Sequence, residues 1–562
     1  MKKNRRLIAL ALVIIMSMLL ATACGSTDSG SGTAPAASPD SSPDATPSGP
    51  SGVEAISYNL APPPLPAADA NLADHIDIIV DTQITVLNPT LAGATGAPVT
   101  WAFILVHDKL LEQVGPTELG PQLATSWETD DYQTFTFHLR DDVYWHNGDH
   151  FTAEDVVWTA EISKEHQGSP AYSRWVWVDT IRAVDTYVLE IVLTEVFIDF
   201  FFEVANPHSS ILNKRAYELN PDDPSWGYVG TGPYKAAEFE TNNFLRLERN
   251  DDYWGGPSPT RSLTLWTIPE MSTRTVMLQT GSAQISFSLT PEDLDMFYED
   301  DNFEIFTVLA NAPSVIGFNN QGDSIMMDQN FRLAVAHAIN TADITTVSSG
   351  RWAFPPFDGS FWGYETQFRL NGFEKREQDI ELAKEYLENS VYNGETIEII
   401  TSGAAAIRAS ELIQEQLNEI GINISIEQTD MAGFTASHMY DPESPRQMHV
   451  FAIGAQPVAL ATMRTSFFPD IHTNRLNYND NFVTGRIQEL SSTPEPTARE
   501  AIAHSIQEHF YETLPAIPIF WRINGLAAVN GIGGIRLSTN SFDYCMRNIF
   551  WDTNAASESL RP

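Results

Sequence analysis

The stretch that decides the fold is Leu123–Lys164, LATSWETDDYQTFTFHLRDDVYWHNGDHFTAEDVVWTAEISK. Over Thr134–Arg140, apolar side chains alternate with polar ones, which is the period-two pattern of a strand with one buried face. The apolar face carries Phe135, Phe137 and Leu139. The pattern therefore predicts a half-buried β-strand at the centre of this stretch.

A helix is predicted after the turn at Asn147-Gly148. Thr152 stands at the position of an N-cap, and Asp155 follows three residues later, as in a capping box. Asp155 and the nearby His146 carry groups that bind metals or transfer protons in other proteins. Nothing around them is arranged like a catalytic set, so we interpret both as parts of an α/β scaffold.

Four short words in this stretch, in this order and at this spacing, resemble one family: ATSWE at 124–128, FTFHLRD at 135–141, WHNG at 145–148 and FTAEDVV at 151–157. The family is the extracellular solute-binding protein family 5 of ABC importers, which includes dipeptide-, oligopeptide- and nickel-binding proteins. The resemblance implies an α/β, two-lobed periplasmic-binding-protein-like fold of type II, in the large peptide-binding subclass, with mixed sheets and a hinge. In this resemblance His146 and Asp155 are scaffold residues.

Length and charge limit the classes of function. The chain has 562 residues, enough for two or more domains with sizeable cores. Its formal net charge is −41, which repels nucleic acid and anionic lipid heads. We therefore expect no nucleic-acid partner.

The first residues resemble an export signal that ends in a bacterial lipobox. Residues 1–6 are basic, Leu7–Leu20 is almost entirely apolar, and small residues lead to Cys24. We expect residues 1–23 to be a signal peptide and Cys24 to be lipidated, although Ala21 stands where leucine is usual; an uncleaved anchor is the alternative. Residues 24–73, rich in Gly, Ser and Pro, are predicted to be a flexible linker. The expected location is the extracytoplasmic face of the bacterial cell membrane, or the periplasmic space of a diderm.

The first part of the predicted folded region contains a strand at His75–Val80 and a helix at Val99–Leu111. Further strands are expected within Val178–Leu193. The motif GTGPY at Gly230–Tyr234 predicts a tight turn in which the glycines supply unusual backbone angles. The spacing of its glycines does not fit a phosphate-binding loop.

The second part alternates helices and strands, which predicts a parallel α/β sheet. After a helix at Phe331–Asn340, we expect further helices and strands in alternation at Asp379–Asn389, Ile397–Thr401, Ala409–Gly421 and Ile422–Glu427. By the resemblance, residues 74–315 form lobe 1 with an inserted subdomain at about 120–227, residues 316–514 form lobe 2, and residues 515–562 return to lobe 1. The chain then crosses the hinge near 312–314 and near 514–515.

The resemblance also places a ligand between the lobes. The residues that it brings to the ligand-binding site are Thr90, Trp362, Tyr364, Gln456 and Arg464. In peptide-binding relatives, an aspartate of the second lobe pairs with the α-amino group of the ligand, but residues 451–469 contain no Asp or Glu. The ligand is therefore either a peptide or another polar solute.

The expected function is capture of such a solute and its delivery to a membrane permease and ATPase complex, by a monomer anchored through lipid. We expect no catalytic residue, metal or cofactor, because Gly-x-Ser-x-Gly and His-Glu-x-x-His are absent and His504, Glu508 and His509 are spaced unlike a zinc motif. Two alternatives are a secreted hydrolase, such as a glycosidase, and a lipid-anchored sensor with the same fold.

Overall fold

The computed structural model describes residues 65–91, 94, 97–114, 118–167, 169–321, 324–350, 353–354, 376–429, 447–453, 463, 467, 476–535, 546–557 and 560. None of the helices in these ranges is both long enough and apolar enough to span a membrane.

The strands in chain order are β1 His75–Val80, β2 Leu111–Gln113, β3 Leu119–Pro121, β4 Ala124–Glu128, β5 Thr134–Leu139, β6 Val178–Asp185, β7 Val188–Leu193, β8 Tyr234–Glu240, β9 Phe244–Arg249, β10 Ser262–Thr267, β11 Ile285–Phe287, β12 Phe303–Phe318, β13 Ala353–Phe354, β14 Ile397–Thr401, β15 Ile424–Gln428, β16 Met448–Ala452, β17 Ala516–Val529, β18 Ile532–Gly533 and β19 Phe550–Trp551.

The α-helices are α1 Ala97–Val106, α2 Ala153–Glu165, α3 Tyr172–Trp175, α4 Phe200–Val204, α5 Lys214–Leu219, α6 Met271–Gln279, α7 Pro291–Tyr298, α8 Gln329–Ala338, α9 Thr341–Ser349, α10 Ile380–Glu388, α11 Ala404–Glu419, α12 Asn481–Ser492 and α13 Pro496–Thr513. Short 3₁₀ turns lie at Pro207–Ser209, Pro224–Tyr228 and Ile325–Met327.

The predicted strand at 134–140 is confirmed as β5, the second strand of an antiparallel sheet with the order β4-β5-β7-β6. Phe135 and Phe137 are fully buried, and Leu139 is buried as well. His138, which lies between Phe137 and Leu139, is exposed. The ring of Phe135 packs 5.2 Å from that of Phe200 and 5.0 Å from that of Phe201. The alternation in the sequence therefore marks the buried face of this sheet.

The predicted capping box is also confirmed. The backbone N–H of Thr152 donates to the Asp155 carboxylate at 3.0 Å, and α2 begins at the next residue. Burial raises the pKa of Asp155 to about 6, although the hydrogen bonds to its carboxylate act to lower it. Asp155 is thus a structural carboxylate at the start of a helix, as the scaffold interpretation expects.

The helix predicted at Val99–Leu111 ends earlier, at Val106. The carbonyl of Val106 accepts a hydrogen bond from the backbone N–H of Gly232 at 2.9 Å, so a distant segment satisfies this end of α1. The chain then continues into β2 at Leu111. The prediction was wrong because the partner of that carbonyl is not local in sequence.

Glycine is required in the GTGPY motif for a different reason from the one predicted. Neither Gly230 nor Gly232 has a positive φ. Instead, a Cβ on either residue would collide with the backbone of Val106. The unusual-angle prediction was therefore wrong: these positions require glycine because two stretches of backbone approach closely.

The large sheet joins both parts of the folded region in the order β15-β14-β16-β12-β17-β11-β1-β10-β9-β8, with β13 paired to β17. Strands β14, β15 and β16 are parallel to one another, as the helix–strand alternation predicts. Strands β1, β10 and β11 form a second parallel group. The long antiparallel strands β12 and β17 lie between the two groups.

Three clusters of buried apolar residues stabilise these layers. One surrounds β1, β10 and β11, and a second surrounds β14, β15 and β16. The third joins the four-stranded sheet to α12 and α13. The long strand β17 contributes Ile519 and Phe520 to the second cluster and Trp521 and Ile523 to the first.

Candidate functional site

The directions of the strands locate the candidate site. Strand β11 approaches the level of Leu526 on β17 as it runs from Ile285 to Phe287. Strand β16 runs the opposite way, and its last residue, Ala452, pairs with Ser314, which in turn pairs with Phe520. The carboxyl ends of both parallel groups therefore converge on the short piece of β17 between Phe520 and Leu526.

This convergence is the arrangement that α/β proteins use for ligands, which bind at the carboxyl ends of parallel strands. Residues Trp521–Gly525 of β17 and Leu309–Pro313 of β12 lie between the two sets of ends, and we call them the central segment. The six residue steps from Phe520 to Leu526 correspond to about 20 Å of extended strand between the two sets of carboxyl ends.

The ladder is irregular in the central segment. Leu309 pairs with Ile523 and Pro313 pairs with Trp521, so β12 has more residues than β17 between these two pairs. An excess of this kind bends a strand and interrupts its hydrogen bonds. The two long strands are therefore deformable where the carboxyl ends meet.

Two features of the site carry positive charge or partial positive charge. Arg522 of β17 lies in the central segment and is exposed between two buried neighbours, Trp521 and Ile523. Helix α11 begins at the carboxyl edge of β14 after Gly403, which has a φ of +86°, and its first turn contains no acidic residue. The first backbone N–H groups of α11 therefore lie at the same edge of the sheet.

Ion pairs connect elements on the two sides of the central segment. Arg408 of α11 lies 3.4 Å from Glu292 of α7 and also donates to the carbonyls of Val347 and Ser348. At another contact, Arg499 of α13 donates to the carboxylate of Asp199 at 2.8 Å. Both of the latter side chains are largely buried, at 14% and 9% exposed.

One of the five predicted ligand residues lies within the described part of the chain. Thr90 follows β1 and is buried, and its hydroxyl donates to the side-chain oxygen of Asn88 at 2.8 Å. Its role in binding stays a prediction. The other predicted site residues, Trp362, Tyr364, Gln456, Arg464 and the lipidation site Cys24, lie outside the described residues.

His146 and His509, two of the histidines considered for metal or catalytic chemistry, have structural partners. Nδ1 of His146 accepts from the backbone N–H of Gly230 at 3.2 Å, so Nε2 carries the proton and donates to the carbonyl of Gly232 at 3.0 Å. Burial lowers the pKa of His146 to about 4. His509 bonds to Asp480 at 3.0 Å. Across the described ranges, no group of three His, Cys, Asp or Glu residues is placed to hold a metal ion.

Sequence reasoning missed Arg522. The available signal was an arginine inside an apolar strand, at the position after the Pro515–Trp521 stretch that resembles the family. Such an arginine is also typical of an ordinary solvent-exposed strand face. Only the registers of β17 with β11 and β12, and of β12 with β16, place it between the two sets of carboxyl ends.

Comparisons with known proteins agree with this geometry. Residues 118–458, more than half of the chain, match the family model described as bacterial extracellular solute-binding proteins, family 5 middle. The dipeptide-binding protein of Escherichia coli is 26% identical over 377 residues, which cover 60% of this chain and 69% of that protein.

Solved structures have the same two-lobed fold. The periplasmic binding protein DppA from Helicobacter pylori, in complex with the peptide STSA, gives a TM-score of 0.74 at 22% identity, covering 86% of this chain and 98% of that chain. NikA from Staphylococcus aureus, in complex with Ni(L-His)2, gives a TM-score of 0.72 at 18% identity, covering 85% and 100%. The expected fold class is thereby confirmed, and the solute-binding hypothesis is supported over the secreted hydrolase. The chain belongs to the bacterial extracellular solute-binding proteins, family 5.

Proposed function

We propose that this protein captures a peptide or a similar polar solute between its two lobes and delivers it to the permease and ATPase of an ABC importer. The observation that carries the proposal is the convergence of two sets of strand carboxyl ends on the central segment. A site made from two parallel groups suits a solute that is enclosed from both sides.

The proposed lobes follow the boundaries expected from the sequence. Lobe 1 comprises 74–315 and 515–562, with the subdomain at about 120–227, and lobe 2 comprises 316–514. The change of hydrophobic cluster between Phe520 and Trp521 supports a passage from one lobe to the other within β17. The irregular pairing of Leu309–Pro313 supports a hinge in the partner strand.

Closure of the lobes would be a hinge motion about the central segment. The ion pairs Glu292–Arg408 and Asp199–Arg499 each join an element of proposed lobe 1 to an element of proposed lobe 2. They support a closed arrangement in which the lobes touch at more than one place. A solute bound between the lobes would add its own contacts to this arrangement.

We further propose that the protein is a monomer tethered to the outer side of the membrane through diacylglycerol on Cys24. Two acyl chains anchor a protein stably, whereas one chain binds only marginally. Cys24→Ser should release the protein to the medium or leave it unprocessed. A Cys24→Ser protein that fractionates with membranes and has wild-type mobility would contradict the lipid anchor.

A ligand screen tests the main proposal. A solute at about 100 times its dissociation constant should raise the free energy of unfolding by about 2.7 kcal/mol. The measurement is a thermal-shift screen of the purified protein, followed by mass spectrometry of the compound after incubation. A solute recovered unchanged fits a binding protein, whereas its conversion to product would favour the hydrolase.

A further inference from the structure

Arg522 occupies an unusual position for a charged side chain. Its neighbours in the strand, Trp521 and Ile523, are 2% and 7% exposed and pack in the cluster around β1, whereas Arg522 is exposed. Because side chains alternate along a strand, Arg522 points to the opposite face from both neighbours. Its backbone pairs with Ala353 of β13, which fixes its place in the sheet.

Two observations describe the surroundings of Arg522. The side chain of Arg522 is exposed to solvent. Protein atoms packed around it nevertheless lower the pKa of its guanidinium by desolvation. No carboxylate of the described chain acts against that lowering. An arginine remains protonated under such conditions, so the central segment holds a positive charge that no carboxylate of the described residues accompanies.

Arginines of the described chain with little solvent exposure are compensated in two ways: Arg274 and Arg332 donate to carbonyl or amide oxygens, and two others donate to carboxylates. Arg174 donates to Glu203 at 2.7 Å, and Arg499 donates to Asp199 at 2.8 Å. A desolvated charge is costly unless an opposite charge and hydrogen bonds accompany it. Arg522 lacks that compensation within the described residues, and it lies where the proposed function places the solute.

The sequence near β16 supports the same sign of charge. Ala452, the last residue of β16, is level with Phe520, two residues before Arg522. Residues 451–469, which leave this end of β16, contain no Asp or Glu. An acidic group of a ligand at the central segment would meet the guanidinium of Arg522.

We infer that Arg522 binds an acidic group of the transported solute and makes this protein selective for carboxylate-bearing ligands. The inference rests on the proposed function and names the class of its substrate. The planar guanidinium can donate two parallel hydrogen bonds to one carboxylate, which lysine cannot do. A free peptide carboxylate, an acidic amino-acid conjugate or a sugar acid would each satisfy this group.

The test compares acids with their own amides. The panel contains di- to pentapeptides, N-acetylated peptides and sugar acids, each beside the amide in which the carboxylate is neutral. Thermal shifts and calorimetric affinities are measured for the wild type, Arg522→Gln, Arg522→Lys and the control Arg215→Gln. Arg215 lies on α5 with its side chain 71% exposed and makes only a 3.5 Å contact with Asp149.

We expect the acids to bind the wild type and Arg215→Gln with at least tenfold higher affinity than their amides do. Arg522→Gln should lose at least tenfold in affinity for the acids and bind the amides as the wild type does. Arg522→Lys should fall between them, because it keeps the charge and loses the paired hydrogen bonds. The unliganded Arg522→Gln protein should melt no lower than the wild type, because the charge it removes has no carboxylate partner among the described residues.

Different outcomes separate the two proposals. Compounds that stabilise the wild type and Arg522→Gln equally, or amides that bind as well as their acids, would overturn the role of Arg522. A lower melting temperature of unliganded Arg522→Gln would assign the residue to the scaffold and overturn it as well. A panel in which no compound stabilises the wild type would count against solute capture itself.

Discussion

Asp108 and Arg522 are two charged residues with opposite surroundings. The carboxylate of Asp108 is fully buried and accepts four hydrogen bonds from side chains at 2.8–3.0 Å, from Gln122, Thr231, Tyr253 and Trp254. The guanidinium of Arg522 is reached by solvent, and no described carboxylate accompanies it. A saturated charge holds the scaffold together, whereas an unsaturated charge in a cleft is available to a ligand.

The region around Asp108 is assembled from distant parts of the sequence. Thr231 lies between Gly230 and Gly232, which approach Val106 two residues before Asp108. His146 bonds to both glycines through its ring. We therefore expect substitutions in this region to act on stability, and substitutions at Arg522 to act on binding.

The largest effect is expected for Gly230→Ala. The added methyl group would collide with the carbonyl of Val106, and both partners are backbone, so neither can move aside cheaply. We expect a loss of more than about 3 kcal/mol in the free energy of unfolding, or no soluble protein. Urea denaturation followed by circular dichroism provides the measurement.

Gly148→Ala is the matched control for Gly230→Ala. Gly148 has a φ of +88°, and a Cβ there would meet nothing within 4 Å. Its substitution should therefore cost only backbone strain, about 1 kcal/mol. Equal effects of the two substitutions would contradict the close-approach explanation of Gly230.

The next effect concerns Asp108→Asn. The amide would turn an NH₂ group towards two donors that now share one carboxylate oxygen, and leave those donors without an acceptor. We expect a loss of about 3 kcal/mol in the free energy of unfolding, with unchanged ligand affinity for the molecules that fold. The exposed Asp222→Asn should leave stability unchanged. A ligand affinity that falls with Asp108→Asn would move Asp108 from the scaffold to the site.

Local patterns in the sequence predicted local structure well. The alternation in Thr134–Arg140 and the capping pair Thr152–Asp155 each depend on residues within one turn or one strand. The end of α1 and the reason for Gly230 depend on contacts between Val106 and a turn far away in the sequence. Periodicity and turn preferences contain no information about such contacts.

The candidate site was predictable only in outline. The resemblance implied a cleft between two lobes, and the strand directions are consistent with that position. The importance of Arg522 depends on the registers of β17 with β11 and β12 and of β12 with β16, and on the absence of a carboxylate partner among the described residues. Neither property can be obtained from the residues around position 522 alone.

A smaller, pH-dependent effect is expected at His146. Burial favours the neutral ring of His146 and lowers its pKa to about 4 from about 6.5, although the hydrogen bond to the carbonyl of Gly232 acts in the opposite direction. The unfolded chain therefore takes up this proton below pH 6.5, and the folded protein only below about 4. Stability from the neutral ring is complete above pH 6.5 and is lost as the pH falls towards 4, by up to about 1.4 kcal/mol per pH unit.

The test is urea denaturation at pH 7, 6 and 5. His107 has the same lowered pKa of about 4 and adds to the loss, whereas Asp155, with its pKa raised to about 6, opposes it below pH 6. His146→Gln should therefore have a shallower fall in stability with acid than the wild type. The exposed His166→Gln serves as the control, and an identical slope for all three proteins would show that His146 is not held neutral.

The smallest effect is expected in the salt dependence of ligand association, where the local positive charge of Arg522 and the net negative charge of the chain act in opposite directions. The formal net charge of −41 repels an approaching anion over distances that salt shortens, from a Debye length of about 30 Å at 0.01 M to about 8 Å at 0.15 M. If the solute is an acid, its association rate constant should rise a few-fold over this range, because screening weakens the repulsion. Its dissociation should change less, because the contact with Arg522 is shielded from bulk salt.

Stopped-flow binding of one acid and its amide measures both rates. The amide, without the charge, should show a weaker dependence on salt. An association rate constant that falls as salt is added would indicate a cationic ligand, and the unpartnered guanidinium would then have to serve another purpose.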